Sequence, residues 1–177
     1  MRRRTWIACV MALLAPAVAL NGAETLRIVP LVGGDSVLVS FELSDAYTDE
    51  VRQAIGSGLR ATFTYDVDLR MMVPAWADRT IASVVVSMSD HYDNLTRRHS
   101  LSRAIDGRVQ ESIVTEDEQV VRKWLTMATR LPLCRTSRLD PSRDYYVRIS
   151  ARSRPQGGSL LGWASAITGQ AKFTFIP

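Results

Sequence analysis

Few residues of this chain are suited to catalysis. Its 177 residues include two cysteines and two histidines. No Gly-x-Ser-x-Gly, His-Glu-x-x-His, Cys-x-x-Cys or glycine-rich phosphate-loop motif occurs in the sequence. These gaps exclude the common serine hydrolases, zinc proteases, thiol oxidoreductases and P-loop enzymes. A binding protein, or an enzyme built from carboxylates, remains.

The scarcity of cysteine also limits the disulfide bonds that could stabilise the fold. Cys9 lies in an N-terminal segment that we expect to be removed, so Cys134 is left as the cysteine of the mature chain. One cysteine cannot form an intrachain disulfide. We interpret Cys134 as a small buried residue beside Leu131 and Leu133, rather than as a reactive or intermolecular thiol.

The N-terminal segment has the pattern of a secretory signal peptide. Three arginines at positions 2–4 precede an apolar run, 6–20, that is followed by small residues. We therefore predict a signal peptide at 1–23 and export to the periplasm or cell envelope. Cleavage after Ala19, cleavage after Ala23 and retention as an anchor are the alternatives that this pattern leaves open.

Charge argues against nucleic acid as a partner. Three of the 22 lysines and arginines lie in the leader, which leaves 19 against 18 acidic residues. We see no cluster of basic and aromatic residues. The rest of the chain, 24–177, has the length of one domain with its own core. We predict no cofactor, no metal and, after signal cleavage, no transmembrane segment.

Apolar residues that alternate with polar ones predict a mostly β fold. We expect an immunoglobulin-like antiparallel β-sandwich of about eight strands with two helices, Asp49 to Gly56 and Glu116 to Arg130. The predicted strands contain residues 26–32, 36–43, 59–71, 82–92, 101–105, 109–113, 145–152 and 171–175. The predicted core consists of Phe63, Tyr65, Val67, Val84, Val86, Trp124, Leu125, Tyr145, Val147, Phe173 and Phe175.

Capping residues precede both predicted helices. Thr48 can cap the first helix. Thr115 and Glu118 form a capping box before the second, which we expect to stop at Pro132.

The histidines fall in one predicted hairpin, near Asp90 and Asp93. A pairing that opposes Met88 to Leu101 also opposes Asp90 to His99, and it sends His91 and His99 to opposite faces. The two imidazoles would then share no metal ion, and both look like hairpin surface or rim. A slip that paired them with each other would restore a metal site.

The Asp-Gly turn that follows sets the next pairing. A three-residue loop, 106–108, with its glycine left-handed, opposes Leu101 to Ile113 and Ile105 to Val109. A two-residue loop would oppose Leu101 to a serine, so we predict the longer loop.

The stretch from Leu139 to Ile149 resembles the tyrosine corner of fibronectin type III and other immunoglobulin-like sandwiches. This resemblance implies that the Tyr145 hydroxyl bonds to backbone near Leu139 or Asp140. It also implies that the strand after the corner neighbours the 59–71 strand.

Outward charges fit that neighbour relation. Asp66 and Asp68 face outward on one strand, and Arg148 and Arg152 do so on the other. We expect cross-strand ion pairs that fix the pairing rather than a ligand site.

One late loop is unusually apolar. Leu160, Leu161 and Trp163 lie between two predicted strands, where exposed apolar side chains indicate a covering partner. We predict that they contact a partner protein or the membrane surface. The alternative is packing against the first helix.

Taken whole, the mature chain resembles an exported bacterial family catalogued as domain of unknown function 4390. The likeness lies in five runs, which are Tyr47 to Val51, Thr62 to Tyr65, Trp76 to Thr80, Thr115 to Glu118 and Phe173 to Pro177. The resemblance implies a compact extracytoplasmic domain and supplies no catalytic residue.

These observations favour a non-catalytic, extracytoplasmic binding or interaction module of the bacterial envelope. Its partner would be an envelope protein, not identified by the sequence, or the membrane surface. The alternatives are an accessory domain that acts with a membrane sensor protein and, less favoured, a carboxylate-based hydrolase.

Overall fold

Alternating apolar side chains build two antiparallel sheets that pack as a β-sandwich. The computed structural model describes residues 26–44, 46–155 and 166–175. Within them lie nine strands and two α-helices, one strand more than expected. The strands are β1 (Leu26–Gly33), β2 (Ser36–Leu43), β3 (Ala61–Met71), β4 (Arg79–Asp93), β5 (Arg98–Ile105), β6 (Arg108–Thr115), β7 (Met127–Arg135), β8 (Asp144–Pro155) and β9 (Ile167–Thr174). The helices are α1 (Asp49–Gly56) and α2 (Glu118–Thr126), and a short 3-10 helix spans Thr136–Arg138.

The core lies between a three-stranded sheet, ordered β1-β2-β7, and a six-stranded sheet, ordered β6-β5-β4-β3-β8-β9. The Phe41 ring on β2 lies 4.7 Å from the Tyr65 ring on β3, measured between centroids. The Tyr65 hydroxyl donates a hydrogen bond to the Leu125 carbonyl at 2.6 Å. Tyr65 therefore joins both sheets and α2.

The predicted core is largely confirmed. Of its eleven residues, all are buried except Phe173 and Phe175, which are half-buried and pack against the core. The first hairpin and α1 also have the expected bounds, and Thr48 accepts the Val51 N–H. β1 is an edge strand, as Pro30 requires, because proline has no N–H for a central ladder.

The predicted end of the second helix is wrong. α2 ends at Thr126, and the chain continues as β7, which pairs with β2 and buries Leu131 and Leu133. The apolar residues of this segment also have a helical spacing, but their pairing with β2 makes the segment a strand. Pro132 is tolerated because β7 is an edge strand.

The α2 cap also lies two residues later than predicted. Asp117 is the N-cap, and its carboxylate accepts the Gln119 N–H at 2.8 Å. Thr115 instead accepts the Asp117 N–H at 3.0 Å.

The β4–β5 pairing differs from the expectation by two residues. Leu101 lies opposite Asp90, not opposite Met88, because the connecting turn has four residues, 94–97, rather than two. Asp93 stabilises this turn by accepting the Leu95 N–H at 2.8 Å. A shift of two residues keeps every side chain on its predicted face.

The β5–β6 turn is shorter than predicted, yet its main consequence is confirmed. Asp106 and Gly107 have φ angles of 49° and 77° and form a two-residue turn of the I′ kind. The expected Ile105–Val109 pair is therefore wrong, since Val109 lies opposite Ala104. A β-bulge then adds one residue to β6, which places Leu101 opposite Ile113 as expected.

The tyrosine corner is confirmed in its geometry. Tyr145 is 1% exposed, and the Asp140 N–H donates to its hydroxyl oxygen at 2.7 Å. β8, which follows the corner, pairs with β3 along its length. This bond therefore fixes where the strand enters the large sheet.

Replacing Tyr145 with phenylalanine should lower the free energy of unfolding by about 0.5 to 1.5 kcal/mol, the net contribution of one such hydrogen bond. Urea unfolding followed by tryptophan fluorescence measures the change. An unchanged urea midpoint would contradict a stabilising role for the corner.

Gly107→Ala should destabilise the domain by about 1 kcal/mol, because a side chain disfavours the left-handed backbone that the turn requires. Gly56→Ala is the matched control, since Gly56 ends a helix and a Cβ there would meet no atom within 4 Å. We expect the control to be neutral or stabilising in urea unfolding. Equal effects of the two variants would contradict the turn assignment.

Candidate functional site

A buried carboxylate interrupts the apolar face of β4. The inward positions of this strand carry Val84, Val86 and Met88, and the next inward position carries Asp90, which is 0% exposed. A charged group is costly to bury unless it is paired and hydrogen-bonded. Asp90 is therefore the polar residue of the core that most requires an explanation.

His99 on the neighbouring strand is the partner of Asp90. Its Nδ1 lies 2.8 Å from Asp90 Oδ2, and its side chain is 12% exposed. The His99 ring also lies against the Tyr92 ring, with centroids 4.6 Å apart. The other oxygen, Asp90 Oδ1, has no hydrogen-bond partner among the described residues.

Burial and pairing act on Asp90 in opposite directions. Burial raises the pKa of the Asp90 carboxyl, and the hydrogen bond with His99 partly offsets this effect. When the carboxyl is ionised, it can only accept, so His99 Nδ1–H is the donor. In neutral His99, Nε2 is then an acceptor available to a ligand.

His99 lines a cleft of about 480 Å³ at one end of the sandwich. The β4–β5 turn, the C-terminal half of α1 and the residues that open α2 surround it. Its lining residues are Tyr47, Arg52, Ile55, Gly56, Tyr92, Asn94, Arg97, His99, Glu116 and Glu118. We call this cleft the His99 pocket.

Most charges of the His99 pocket are paired within the chain. Arg52 lies 2.5 Å from Asp49 and 4.0 Å from Glu118, and Glu116 lies 3.0 Å from Arg98. Arg97 has no carboxylate within 4.0 Å among the side chains that the structure describes. Among the described side chains, Arg97 is thus the cation of the pocket without a carboxylate partner.

The turn that carries Arg97 is held in a fixed position. Arg97 has a φ of 58° and donates its N–H to the Asp93 carbonyl at 2.8 Å. Gly58, before β3, also has a positive φ, and a Cβ there would meet Asn94 Nδ2 at 3.0 Å. Gly58 and the β4–β5 turn therefore lie close together at the rim of the pocket.

Tyr47, just before α1, also lines the pocket. Burial, together with the nearby Glu118 carboxylate, raises the pKa of Tyr47 to about 12. Its hydroxyl therefore stays protonated at neutral pH and can donate a hydrogen bond.

Comparison with known proteins places this chain in a family. A sequence profile described as Domain of unknown function (DUF4390) matches residues 21–157. The chain belongs to the DUF4390 family. No curated protein and no solved structure matches it. No helix among the described residues of this DUF4390 chain is long and apolar enough to cross a membrane.

The two histidines lie apart, as expected, and His99 is the less exposed of the two. His91 lies opposite Ser100 and Tyr92 lies opposite His99, so the imidazoles point to opposite faces of the sheet. The sequence analysis placed both at the hairpin surface or rim; His91 is exposed, whereas His99 is half-buried and lines the cleft. Across the described part of the chain, no three His, Cys, Asp or Glu side chains come together to hold a metal.

The other sequence predictions fall outside the His99 pocket. Arg152 forms an ion pair with Asp66 across β8 and β3, as predicted. Leu160, Leu161 and Trp163 lie outside the described residues, so their contact with a partner or membrane stays a prediction. Cys134 is half-buried beside the core, and burial raises its pKa, which disfavours the reactive thiolate.

The sequence analysis set Asp90 opposite His99 but did not identify Asp90 as a buried residue of β4. The position of Asp90 in the strand identifies it, because Asp90 alternates in step with Val86 and Met88 and so shares their inward face. An unpaired acid is unfavourable there. The pocket itself has no sequence signature, because it joins side chains from α1, the hairpin and α2.

Asp90→Asn should change the pH dependence of stability. Because the folded-state pKa of Asp90 is raised above its ordinary value of 3.8, its ionisation opposes folding as pH rises through the window above that value. Asparagine does not titrate, so the variant should gain stability relative to the natural chain from pH 4 to pH 7, approximately the titration range of carboxyl groups. Urea unfolding at several pH values measures this trend.

Asp93→Asn is the matched control with the opposite sign. Hydrogen bonds from the Leu95 and Thr96 groups hold the pKa of Asp93 below its ordinary value, so its ionisation favours folding. This variant should lose stability relative to the natural chain as pH rises toward 3.8, and its relative stability should change little from pH 4 to pH 7, where Asp93 is ionised in both states. Identical trends for the two variants would contradict the assigned burial of Asp90.

Proposed function

We propose that this DUF4390 chain is an exported, non-catalytic binding domain of the bacterial envelope and that the His99 pocket is its ligand site. The observation that carries the proposal is a polar pocket built around a buried Asp90–His99 pair. The predicted signal peptide at 1–23 supports export. Family membership supplies no activity that competes with this interpretation.

The size and lining of the His99 pocket suit a small polar group. Its volume of about 480 Å³ falls within the range of about 300 to 1,000 Å³ that is usual for ligand pockets. Tyr47 and Tyr92 offer aromatic surface, and Asn94 offers both a donor and an acceptor. Such a mixture favours the end of a glycan or peptide over an apolar ligand.

The charges of the pocket favour a ligand that carries a carboxylate. Arg97 is exposed and lacks an acidic partner among the described side chains, whereas Arg52 is paired with Asp49 and Glu118. A guanidinium binds a carboxylate through two parallel hydrogen bonds.

The same lining argues against catalysis. The described lining residues include no serine, threonine, cysteine or lysine that could act as a nucleophile. Glu116 and Glu118 lie within ion-pair distance of Arg98 and Arg52, so both carboxylates already have partners within the chain. Binding therefore accounts for the pocket with fewer assumptions than a reaction does.

One observation favours a hydrolase as the second candidate. A histidine oriented by a buried carboxylate at 2.8 Å is the arrangement that general-base catalysis uses to activate water. His99 Nε2 would take the proton in that case. His99→Gln would then abolish hydrolysis while leaving ligand binding by Arg97 in place.

Titration calorimetry with D-alanyl-D-alanine and N-acetylmuramic acid, two carboxylate-bearing components of cell wall, tests the binding proposal. Arg97→Asn should weaken binding at least tenfold, because one charge-assisted pair is lost. Asparagine tolerates the left-handed backbone at this position. Arg148→Gln is the matched control, since Arg148 is exposed on β8 outside the pocket.

The uncharged amides of both probes should bind no better to the natural chain than to Arg97→Asn. Equal affinity of the natural chain and Arg97→Asn for every acidic probe would contradict the carboxylate site. Turnover of ester, peptide or glycan substrates that disappears in His99→Gln would replace the binding proposal with the hydrolase.

A further inference from the structure

The two sheets of the sandwich have four outer edges, and three of them are blocked. β1 and β9 lie against each other, since a Cβ added to Gly169 would meet Leu26 Cδ2 at 3.1 Å. β7 carries Pro132, which has no N–H to donate, and Arg130 at a φ of 52° interrupts its ladder. Among the described strands, β6 is left as the open edge.

The open edge is long and well exposed. β6 has eight residues, and its first five, Arg108 to Ser112, are all exposed. Val109 and Val114 are 67% and 63% exposed, which is high for valine in a strand. An edge of this kind offers unpaired N–H and C=O groups to another strand.

The bulge in β6 places both valines on the same face of the sheet. Val114 lies opposite Ser100 and Val109 lies opposite Ala104, whereas Gln110 has no partner on β5. Without the extra residue, Val109 and Val114 would point to opposite faces, because side chains alternate along a strand. The bulge therefore creates an apolar pair on the outer face of this edge.

We propose that β6 is the docking site for β6 of a second copy of this chain, in an antiparallel pair whose two-fold axis passes through Ser112. With the same bulge on both strands, Val109 lies opposite the partner's Val114, and the symmetry repeats this contact. Glu111 then faces the partner's Ile113 on the inner face. Two six-stranded sheets become one continuous sheet.

The neighbouring two-fold registers are less favourable. A pairing centred on Glu111 would oppose two like charges, which destabilises a cross-strand pair. A pairing centred on Ile113 would place Val109 opposite the partner's Glu116 and leave the valines unmatched. The register centred on Ser112 is therefore the one that covers both exposed valines without opposing like charges.

The dimer should be weak and concentration-dependent. One strand pair buries less surface than a stable dimer interface, which needs about 1,200 to 2,000 Å². We expect a dissociation constant between about 1 μM and 1 mM.

Sedimentation velocity of the full chain over that concentration range tests the proposal. Val114→Lys should weaken dimerisation at least tenfold, because lysine on an edge strand opposes pairing. Val85→Lys is the matched control, since Val85 is exposed on β4, an interior strand of the same sheet. It should leave dimerisation unchanged.

Cysteine crosslinking tests the register independently of affinity. With Cys9 and Cys134 replaced by serine, Ser112→Cys should form an intermolecular disulfide on mild oxidation, because residue 112 faces its own copy. Ser100→Cys, exposed on β5 one strand from the edge, is the control and should stay monomeric. A chain that is monomeric at every concentration and crosslinks equally through residues 112 and 100 would overturn the proposal, and β6 would then serve a different partner or none.

Discussion

The contacts of Tyr65 hold the three layers of this domain together. Its ring packs on Phe41 of the small sheet, its backbone belongs to the centre of the large sheet, and its hydroxyl bonds to Leu125 in α2. Burial keeps the hydroxyl protonated by raising its pKa, so it can donate that bond. The position of α2, and with it the acidic side of the His99 pocket, depends on this side chain.

The fold could be predicted where one face of a strand is apolar and the other polar. The alternation of apolar and polar residues was enough to identify the inward residues of β2, β3 and β8, which are buried as expected. This alternation does not predict the length of a turn. The β4–β5 pairing was therefore wrong by two residues, yet the two histidines still lay on opposite faces. In the β5–β6 hairpin, the turn is one residue shorter than predicted and the bulge adds one residue. The predicted pairing of Leu101 with Ile113 is therefore correct.

Two features could not be predicted from local pattern. Met127 and Leu131 fit a helical stripe as well as a strand, and only the edge of β2, far away in sequence, decides for the strand. The pocket depends on distant elements in the same way. The sequence analysis opposed Asp90 to His99 directly, whereas in the structure Asp90 lies opposite Leu101 and reaches His99 through a diagonal contact. Leu160, Leu161 and Trp163 lie outside the described residues. The apolar loop and the His99 pocket are therefore two separate proposals.

The placement of β7 also shapes how the chain can acquire its structure. Arg130 donates its backbone N–H to Ser40 Oγ across 90 residues of sequence, whereas β3 to β6 are joined by successive hairpins. Distant pairings close larger loops and form more slowly than hairpins. The large sheet can therefore begin to assemble from local contacts, while the small sheet is completed only after β7 has been added. Closure of the sandwich therefore waits for the C-terminal half of the chain.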